Sequence, residues 1–151
     1  EGMRAVAMLP DAHLAVAGDG PLRAEAEALA GELLPGRFTR LTLAADDMPA
    51  LYRSADAFLH MSLLESFGNV FVEAMASGLP IVGHDTARLR WVLGDTPFLC
   101  DTESLPKVEN ALRGAVAQGR TDPASRSARF AWAGIAEEYE VFLRALKAQE
   151  A

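Results

Sequence analysis

The sequence of 151 residues has room for one domain, since single domains commonly hold about 100 to 150 residues. Half of the residues are hydrophobic and 23% are charged, a balance that predicts a soluble core and excludes a disordered or collagen-like chain. Fourteen Lys and Arg residues stand against 21 Asp and Glu residues, and the net charge of −7 argues against a nucleic-acid partner. The single cysteine, Cys100, cannot form an internal disulfide bond, which is typical of a cytoplasmic protein.

Short apolar runs alternate with longer amphipathic segments, the pattern of a parallel sheet with helices on both faces. The fold class is therefore predicted to be α/β. The predicted strands are His13–Ala17, Phe38–Leu43, Ala57–Met61, Pro80–Val82 and Phe98–Cys100. The predicted helices are Leu22–Leu34, Asp47–Ala55, Asn69–Ser77, Thr86–Leu93, Ser104–Gln118 and Ala131–Lys147. The stretch Ala115–Arg126, with its Gly, Asp, Pro and Ser residues, predicts the main loop.

The first residues have the pattern of a helix end, with Met3–Leu9 running into the turn at Pro10 and Asp11. No strand is predicted ahead of this helix. We therefore expect a domain, spanning residues 1–151, that lacks its first strand or receives one from elsewhere.

The segment of residues 64–80 carries the densest signal for a ligand site, because it follows a predicted strand and runs into a helix. In an open parallel sheet, ligands bind beyond the carboxyl ends of the strands, where a helix N-terminus offers N–H groups to an anion. Ser66, Gly68 and Asn69 suit this role, because glycine allows a phosphate close to the backbone and the helix dipole favours negative charge. In the alternative interpretation, Ser66 is an ordinary N-cap.

Two carboxylates flank this helix entrance. Glu73 is the only charge in a helix that is otherwise apolar, so we expect a buried carboxylate with a polar partner such as a ligand hydroxyl. The alternative is a glutamate stabilised by the first helical turn. Glu65 precedes Gly68 and is expected in the loop, where it either contacts a ligand or is an ordinary exposed charge.

Glu65 and Glu73 form a Glu-x7-Glu pair, and Glu73 opens the run Glu-Ala-Met-Ala-x-Gly-x-Pro-Ile-Val. Further matching segments are Gly18–Pro21, Leu51–Ala57 and Arg129–Trp132. This combination resembles the C-terminal domain of family 4 retaining glycosyltransferases, which binds the nucleotide sugar.

The resemblance implies a GT-B enzyme, in which two Rossmann-like domains with open parallel sheets face a cleft and this domain holds the donor. Glu65 would contact the transferred sugar, and Glu73 would bond the ribose hydroxyls. The donor-binding loop would consist of Ser66 together with the backbone N–H groups of Phe67, Gly68 and Asn69. The resemblance implies a nucleotide sugar and an N-terminal acceptor-binding domain as partners, and no metal or other cofactor. The isolated chain is expected to be inactive, and membrane-peripheral association of the full protein stays open.

The sequence also departs from the family pattern. The family usually has an Arg and a Lys near the first strand of this domain, and these positions are expected upstream of Glu1. In the family the first strand lies in the middle of the sheet, so its loss predicts a central gap there. A glycine expected after the second strand is replaced by Leu41 and Thr42. A Gly-Gly-x-x-Glu pattern is replaced by Ala87–Trp91. These changes leave the base and the sugar of the donor open.

Two other functions fit the same sequence. A nucleotide-sugar 2-epimerase would use the same fold without an acceptor, and a non-catalytic α/β module would use the cleft for recognition only. His60 and His84, at strand ends, could line the cleft, whereas His13 should face away from it. His84 and Asp85 are not expected to act as an acid–base pair, because adjacent residues on an extended segment point to opposite sides.

Overall fold

The computed structural model describes residues 1–122 and 124–149 and has an α/β fold, as predicted. The strands are β1 (Leu14–Ala17), β2 (Phe38–Leu41), β3 (Phe58–His60), β4 (Ile81–His84) and β5 (Leu99–Cys100). The helices are α1 (Gly2–Ala7), α2 (Arg23–Leu33), α3 (Met48–Ser54), α4 (Asn69–Ala76), α5 (Ala87–Leu93), α6 (Leu105–Gln118), α7 (Ala124–Ser127) and α8 (Trp132–Gln149). All five predicted strands and all six predicted helices are confirmed, with shifts of one or two residues at most of their ends.

The strands form two parallel sheets. One sheet has the order β1-β2, with Leu14 opposite Phe38, and the other has the order β3-β4-β5. In the second sheet Phe58 lies opposite Ile81, and Gly83 lies opposite Leu99. Because all pairs are parallel, each connection must cross over, and the intervening helices provide these crossovers.

Helices cover both faces of the three-stranded sheet, as the alternation of β4 illustrates. Ile81 packs into a core with residues of α4 and α5, whereas its neighbour Val82 packs into a second core with residues of α1 and α6. Successive side chains of a strand point to opposite faces, so β4 is buried from both sides. The loops that follow β3, β4 and β5 therefore start from a sheet edge whose position is fixed by helices on both faces.

An apolar cleft of about 390 Å³ separates the two sheets. Leu14 and Val16 of β1 line one side, and Leu59 and Met61 line the other. The first turn of α1 adjoins this second side, since a Cβ placed on Gly2 would lie 3.2 Å from Cγ of Met61. Within the described residues, β1 does not pair with β3, and the cleft lies between these two strands. The gap that the sequence predicts in the sheet would lie at this place.

The loop predicted over Ala115–Arg126 is wrong at both of its ends. Helix α6 continues to Gln118, because Ala115 is fully buried in the core and Gly119, with φ of 72°, ends the helix. The short helix α7 then occupies Ala124–Ser127. Residue 123 lies outside the described residues.

Arg120 ties together two helix ends that the sequence gives no reason to associate. Its guanidinium donates to the carbonyl oxygens of Tyr52, Arg53 and Ala55 at the end of α3, at distances of 2.6 to 3.1 Å. It also donates to the carbonyl of Ser77 at the end of α4, at 2.6 Å. A cation is favourable at helix C-termini, so Arg120 fixes α3 against α4.

Candidate functional site

The loop between β3 and α4 enters its helix through a backbone conformation that requires glycine. Gly68 has φ of 80°, in the left-handed region. A Cβ at this position would lie 2.5 Å from Cδ2 of Phe71, which is fully buried. The loop can therefore turn into α4 directly over the Phe71 ring only because residue 68 has no side chain.

No described side chain caps the N-terminus of α4. Gly68 occupies the N-cap position, and its carbonyl accepts a bond of 2.9 Å from the N–H of Phe71. The interpretation of Ser66 as an ordinary N-cap is therefore wrong. The first backbone N–H groups of α4, beginning at the exposed Asn69, lie at the positive end of the helix dipole, where an anion is stabilised.

Glu65 lies in the loop, as predicted, and His60 fixes its position. Oε1 of Glu65 is 3.4 Å from Nε2 of His60, and both side chains are about one quarter exposed. The N–H of Ser62 donates to Nδ1 of His60 over 3.4 Å, so Nε2 is the ring nitrogen that faces Glu65. The imidazole packs on Phe71 with ring centres 4.8 Å apart. His60 therefore orients Glu65 at the end of β3.

Glu73 has a protein partner that the sequence does not reveal. The hydroxyl of Tyr52 donates to Oε2 of Glu73 over 2.9 Å. Burial of Tyr52, together with its bond to Glu73 and the charge of that carboxylate, raises the pKa of Tyr52 above its ordinary range. The expectation of a buried Glu73 is wrong, because α4 buries only the face that carries Phe71, Ala74 and Met75, and Glu73 lies on the exposed face. Its carboxylate is thus held in place and still accessible.

A cleft of about 410 Å³ opens beside the loop. It is lined by Ser66 and Phe67 of the loop and by Ala87, Arg88 and Trp91 of α5. Two of the predicted site residues therefore face the segment that replaces the family's Gly-Gly-x-x-Glu pattern. The sequence does not predict that Arg88 would share a cleft with Ser66, because the contact arises from the adjacent ends of β3 and β4.

Phe130 and Arg129, which follow α7, pack against the two aromatic rings that line this cleft. Phe130 makes edge-to-face contacts with Phe67 and with Trp91, with ring centres 5.6 and 5.9 Å apart. The guanidinium carbon of Arg129 lies 4.6 Å from the centre of the Phe130 ring and 5.1 Å from that of Trp91. Arg129 also donates to the carbonyls of Trp91 and Val92, so it holds the end of α5 in place.

The remaining candidate histidines have structural partners. Nδ1 of His84 lies 3.0 Å from Oγ1 of the buried Thr102, and Nε2 of His13 lies 2.8 Å from Oγ1 of Thr39. Asp85 accepts two bonds of 2.6 Å from Arg90, and this pairing holds the pKa of Asp85 below its ordinary value. The prediction that His84 and Asp85 do not form an acid–base pair agrees with these contacts.

Two further properties concern only the residues that the structure describes. No helix among them is long and apolar enough to cross a membrane. They contain no group of three His, Cys, Asp or Glu side chains placed to hold a metal ion.

The chain matches the family described as glycosyl transferases, group 1, over residues 3–126. It is 43% identical over 74 residues to the sulfoquinovosyl transferase SQD2 of Arabidopsis thaliana, a match that covers 49% of this chain and 14% of that protein. It is 38% identical over 104 residues to the 2-deoxystreptamine glucosyltransferase of Streptomyces kanamyceticus, covering 64% of this chain and 27% of that protein. The matched region thus spans less than a third of either relative.

The fold resembles that of the sucrose-phosphate synthase from Thermosynechococcus elongatus, with a TM-score of 0.75 and 27% identity. The match covers 97% of this chain and 41% of that protein. The region matched to the family includes the loop from Glu65 to Gly68, helix α4 and the cleft against α5. The chain belongs to the group 1 glycosyl transferases and has the fold of GT-B glycosyltransferases.

Proposed function

We propose that this chain is the donor-binding domain of a family 4 glycosyltransferase that moves a sugar from a nucleoside diphosphate to an acceptor hydroxyl with retention of configuration. One observation carries the proposal most directly. The uncapped N-terminus of α4 lies between Glu65, held by His60, and Glu73, held by Tyr52. This arrangement provides fixed N–H groups for an anion and carboxylates for hydroxyl groups of the same ligand.

Each predicted site residue has a role in this proposal. The backbone N–H groups of Phe67, Gly68 and Asn69 bind the diphosphate or the sugar, and Ser66 contributes its hydroxyl to the same loop. Glu73 accepts hydrogen bonds from the ribose hydroxyls, with Tyr52 fixing the carboxylate from the other side. Glu65 contacts the transferred sugar.

Catalysis in this proposal is mainly electrostatic. As the bond between the sugar and the diphosphate breaks, negative charge grows on the leaving group at the N-terminus of α4. Fixed N–H groups stabilise that charge without reorganising, which lowers the barrier. No step requires a metal ion from this chain's residues.

A second, N-terminal domain would supply the acceptor site, and the expected Arg and Lys belong near the first strand of the donor-binding domain. We propose that this chain alone turns over no substrate, because the cationic residues expected from the resemblance are absent from it. The names of the relatives include sulfoquinovosyl and glucosyl transferases, so they do not single out one sugar.

The two alternative functions have no specific observation in their favour. The relatives described above are transferases, which does not support the 2-epimerase alternative. A non-catalytic binding module would share the fold and the cleft, and ligand binding alone does not separate it from an enzyme. Product analysis of the full-length protein distinguishes all three, since only a transferase passes the sugar to an acceptor.

The proposal is tested by calorimetric titration of this chain with uridine, guanosine and adenosine diphosphates. We expect weak, saturable binding of at least one nucleotide. Glu73→Ala should lower the affinity about tenfold to hundredfold, since hydrogen bonds to a charged group are worth about 1.5 to 3 kcal/mol. Glu32→Ala removes an exposed carboxylate from α2, near the other sheet, and should bind like the parent chain. Binding that is unaffected by Glu73→Ala, or absent for all three nucleotides in a folded chain, would count against the donor site.

A further inference from the structure

The cleft between the loop and α5 has a composition that the general donor-binding role does not explain. Its lining consists of two aromatic rings, a guanidinium, a serine and an alanine, and it includes no carboxylate among the described residues. Phe67 is 37% exposed and Trp91 is 61% exposed, so both rings face solvent in spite of their size. Exposed aromatic rings beside a cation are typical of binding surfaces.

The two arginines of α5 differ in their surroundings. Arg90 is neutralised by Asp85 through two bonds of 2.6 Å. Arg88 lines the cleft and has no ion pair or hydrogen bond with any described residue. Its guanidinium thus retains its full donor capacity for a ligand in the cleft.

The position of the Trp91 ring is set by the residues around it. Phe130 packs on it nearly perpendicularly, and Arg129 donates to the carbonyl of Trp91 while its guanidinium lies over both rings. A ring that is held in one place loses little conformational freedom when a ligand packs on it. Trp91 and Arg88 are three residues apart on one helix and therefore lie on the same side of it.

We propose that this cleft is a subsite for a six-membered sugar ring that carries a carboxylate. The apolar C–H face of the sugar packs on Trp91, and the carboxylate pairs with Arg88. This inference rests on the proposed function, because it assigns the cleft to the sugar part of the donor and narrows that sugar to an acidic one.

The neighbouring residues favour a sugar over a bare phosphate. A phosphate would need cations and N–H groups only, and the two aromatic rings would add nothing to its binding. A sugar acid uses the rings, the guanidinium and the hydroxyl of Ser66 together. Ser66 also belongs to the loop that the proposed function places against the donor, so the cleft continues the same site.

The test uses small probes that carry no nucleotide. The chain is titrated with methyl α-D-glucuronide and, separately, with methyl α-D-glucoside, while the indole N–H of Trp91 is followed in ¹H–¹⁵N spectra. We expect the glucuronide to shift this signal at a concentration about threefold to tenfold lower than the glucoside, as one charge-assisted pair at a partly exposed site allows. Trp132, which is 84% exposed on α8, serves as an internal reference and should not move.

Two matched variants decide the role of Arg88. Arg88→Gln should abolish the preference for the glucuronide, whereas Arg90→Gln removes the same charge from the same helix and should keep it. Equal affinities for the two probes, no shift of Trp91 with either, or equal effects of the two substitutions would overturn the subsite. A chain that fails this test but binds a nucleoside diphosphate retains the proposed function, so the two failures are distinguishable.

Discussion

The two sheets of this molecule differ in how completely they are packed. In the three-stranded sheet, Ile81, Val82 and Gly83 of β4 are all buried. In the two-stranded sheet, β1 alternates between half-buried and exposed residues, and its apolar side chains Leu14 and Val16 line an open cleft. Parallel strands are normally buried on both faces, so of these two strands β4 has the burial that is usual for a parallel sheet and β1 does not.

This difference separates a densely packed part of the molecule from a more open one. The site residues extend from the packed sheet, and the fully buried Phe71 supports both His60 and the turn at Gly68. The loop that holds Glu65 is therefore preorganised by the core beneath it. The two-stranded sheet contributes no residue to either the loop or the cleft against α5.

The largest expected effect comes from emptying the core under the site. Phe71→Ala should lower the free energy of unfolding by about 3 to 5 kcal/mol, because a fully buried ring leaves a cavity. Leu14→Ala, on the open cleft, should cost about 1 kcal/mol, since this side chain is only partly buried. Urea denaturation followed by circular dichroism measures both. Similar losses in the two variants would show that the sheets do not differ in packing.

A smaller effect is expected at the helix entrance. Gly68→Ala combines a left-handed backbone with a collision against Phe71 and should cost about 2 to 4 kcal/mol. Gly36→Ala is the control, because Gly36 also has a positive φ, of 71°, and no atom lies within 4 Å of the added Cβ. It should cost about 1 kcal/mol, from the backbone alone. Thermal melting of both variants isolates the collision, and equal melting temperatures would contradict it.

The smallest effect concerns the bond that holds Glu73. Tyr52→Phe should lower the free energy of unfolding by about 0.5 to 1.5 kcal/mol at pH 7, the usual value for one hydrogen bond. Folding raises the pKa of Tyr52, so its neutral hydroxyl contributes fully to the free energy of unfolding below the ordinary tyrosine pKa of about 10. This contribution is lost as the pH rises from that value through the higher pKa of the folded state. Tyr52→Phe should flatten this alkaline decline.

The control for this prediction is Tyr139→Phe, which alters an exposed tyrosine on α8 and should change the free energy of unfolding by less than about 0.5 kcal/mol. Denaturant unfolding at several pH values between 8 and 11 provides the measurement. An alkaline decline that is as steep in Tyr52→Phe as in the parent chain would show that Tyr52 is not its source.

The sequence predicts the elements of both sheets, because alternating apolar runs and Gly or Pro residues mark their ends. It also predicts Glu65 in the loop and a ligand-binding entrance at Gly68. The position of Glu73 is missed because an apolar helix of eight residues does not reveal which of its faces is covered. The core decides this, because it covers the face of α4 that carries Phe71, Ala74 and Met75 and leaves Glu73 on the other side.

Other contacts are invisible to sequence reasoning because they join distant segments. Arg120 bonds carbonyls of Tyr52 and Ser77, which are 68 and 43 residues away along the chain. Arg88 and Ser66 line the same cleft only because β3 and β4 are neighbours that end at the same edge of the sheet. The sequence shows that Ala87–Trp91 departs from the family pattern. Only the structure shows that residues of this segment line a cleft with the loop.

The most direct test of the central claim is to map a nucleoside diphosphate onto the chain by ¹H–¹⁵N spectroscopy. The donor-site account predicts that the backbone amide signals of residues 65–73 shift as the nucleotide is added and that those of Leu14–Ala17 and Phe38–Leu41 stay in place. Shifts that cluster around the apolar cleft between the sheets, or the absence of shifts from residues 65–73 in a folded chain, would contradict it.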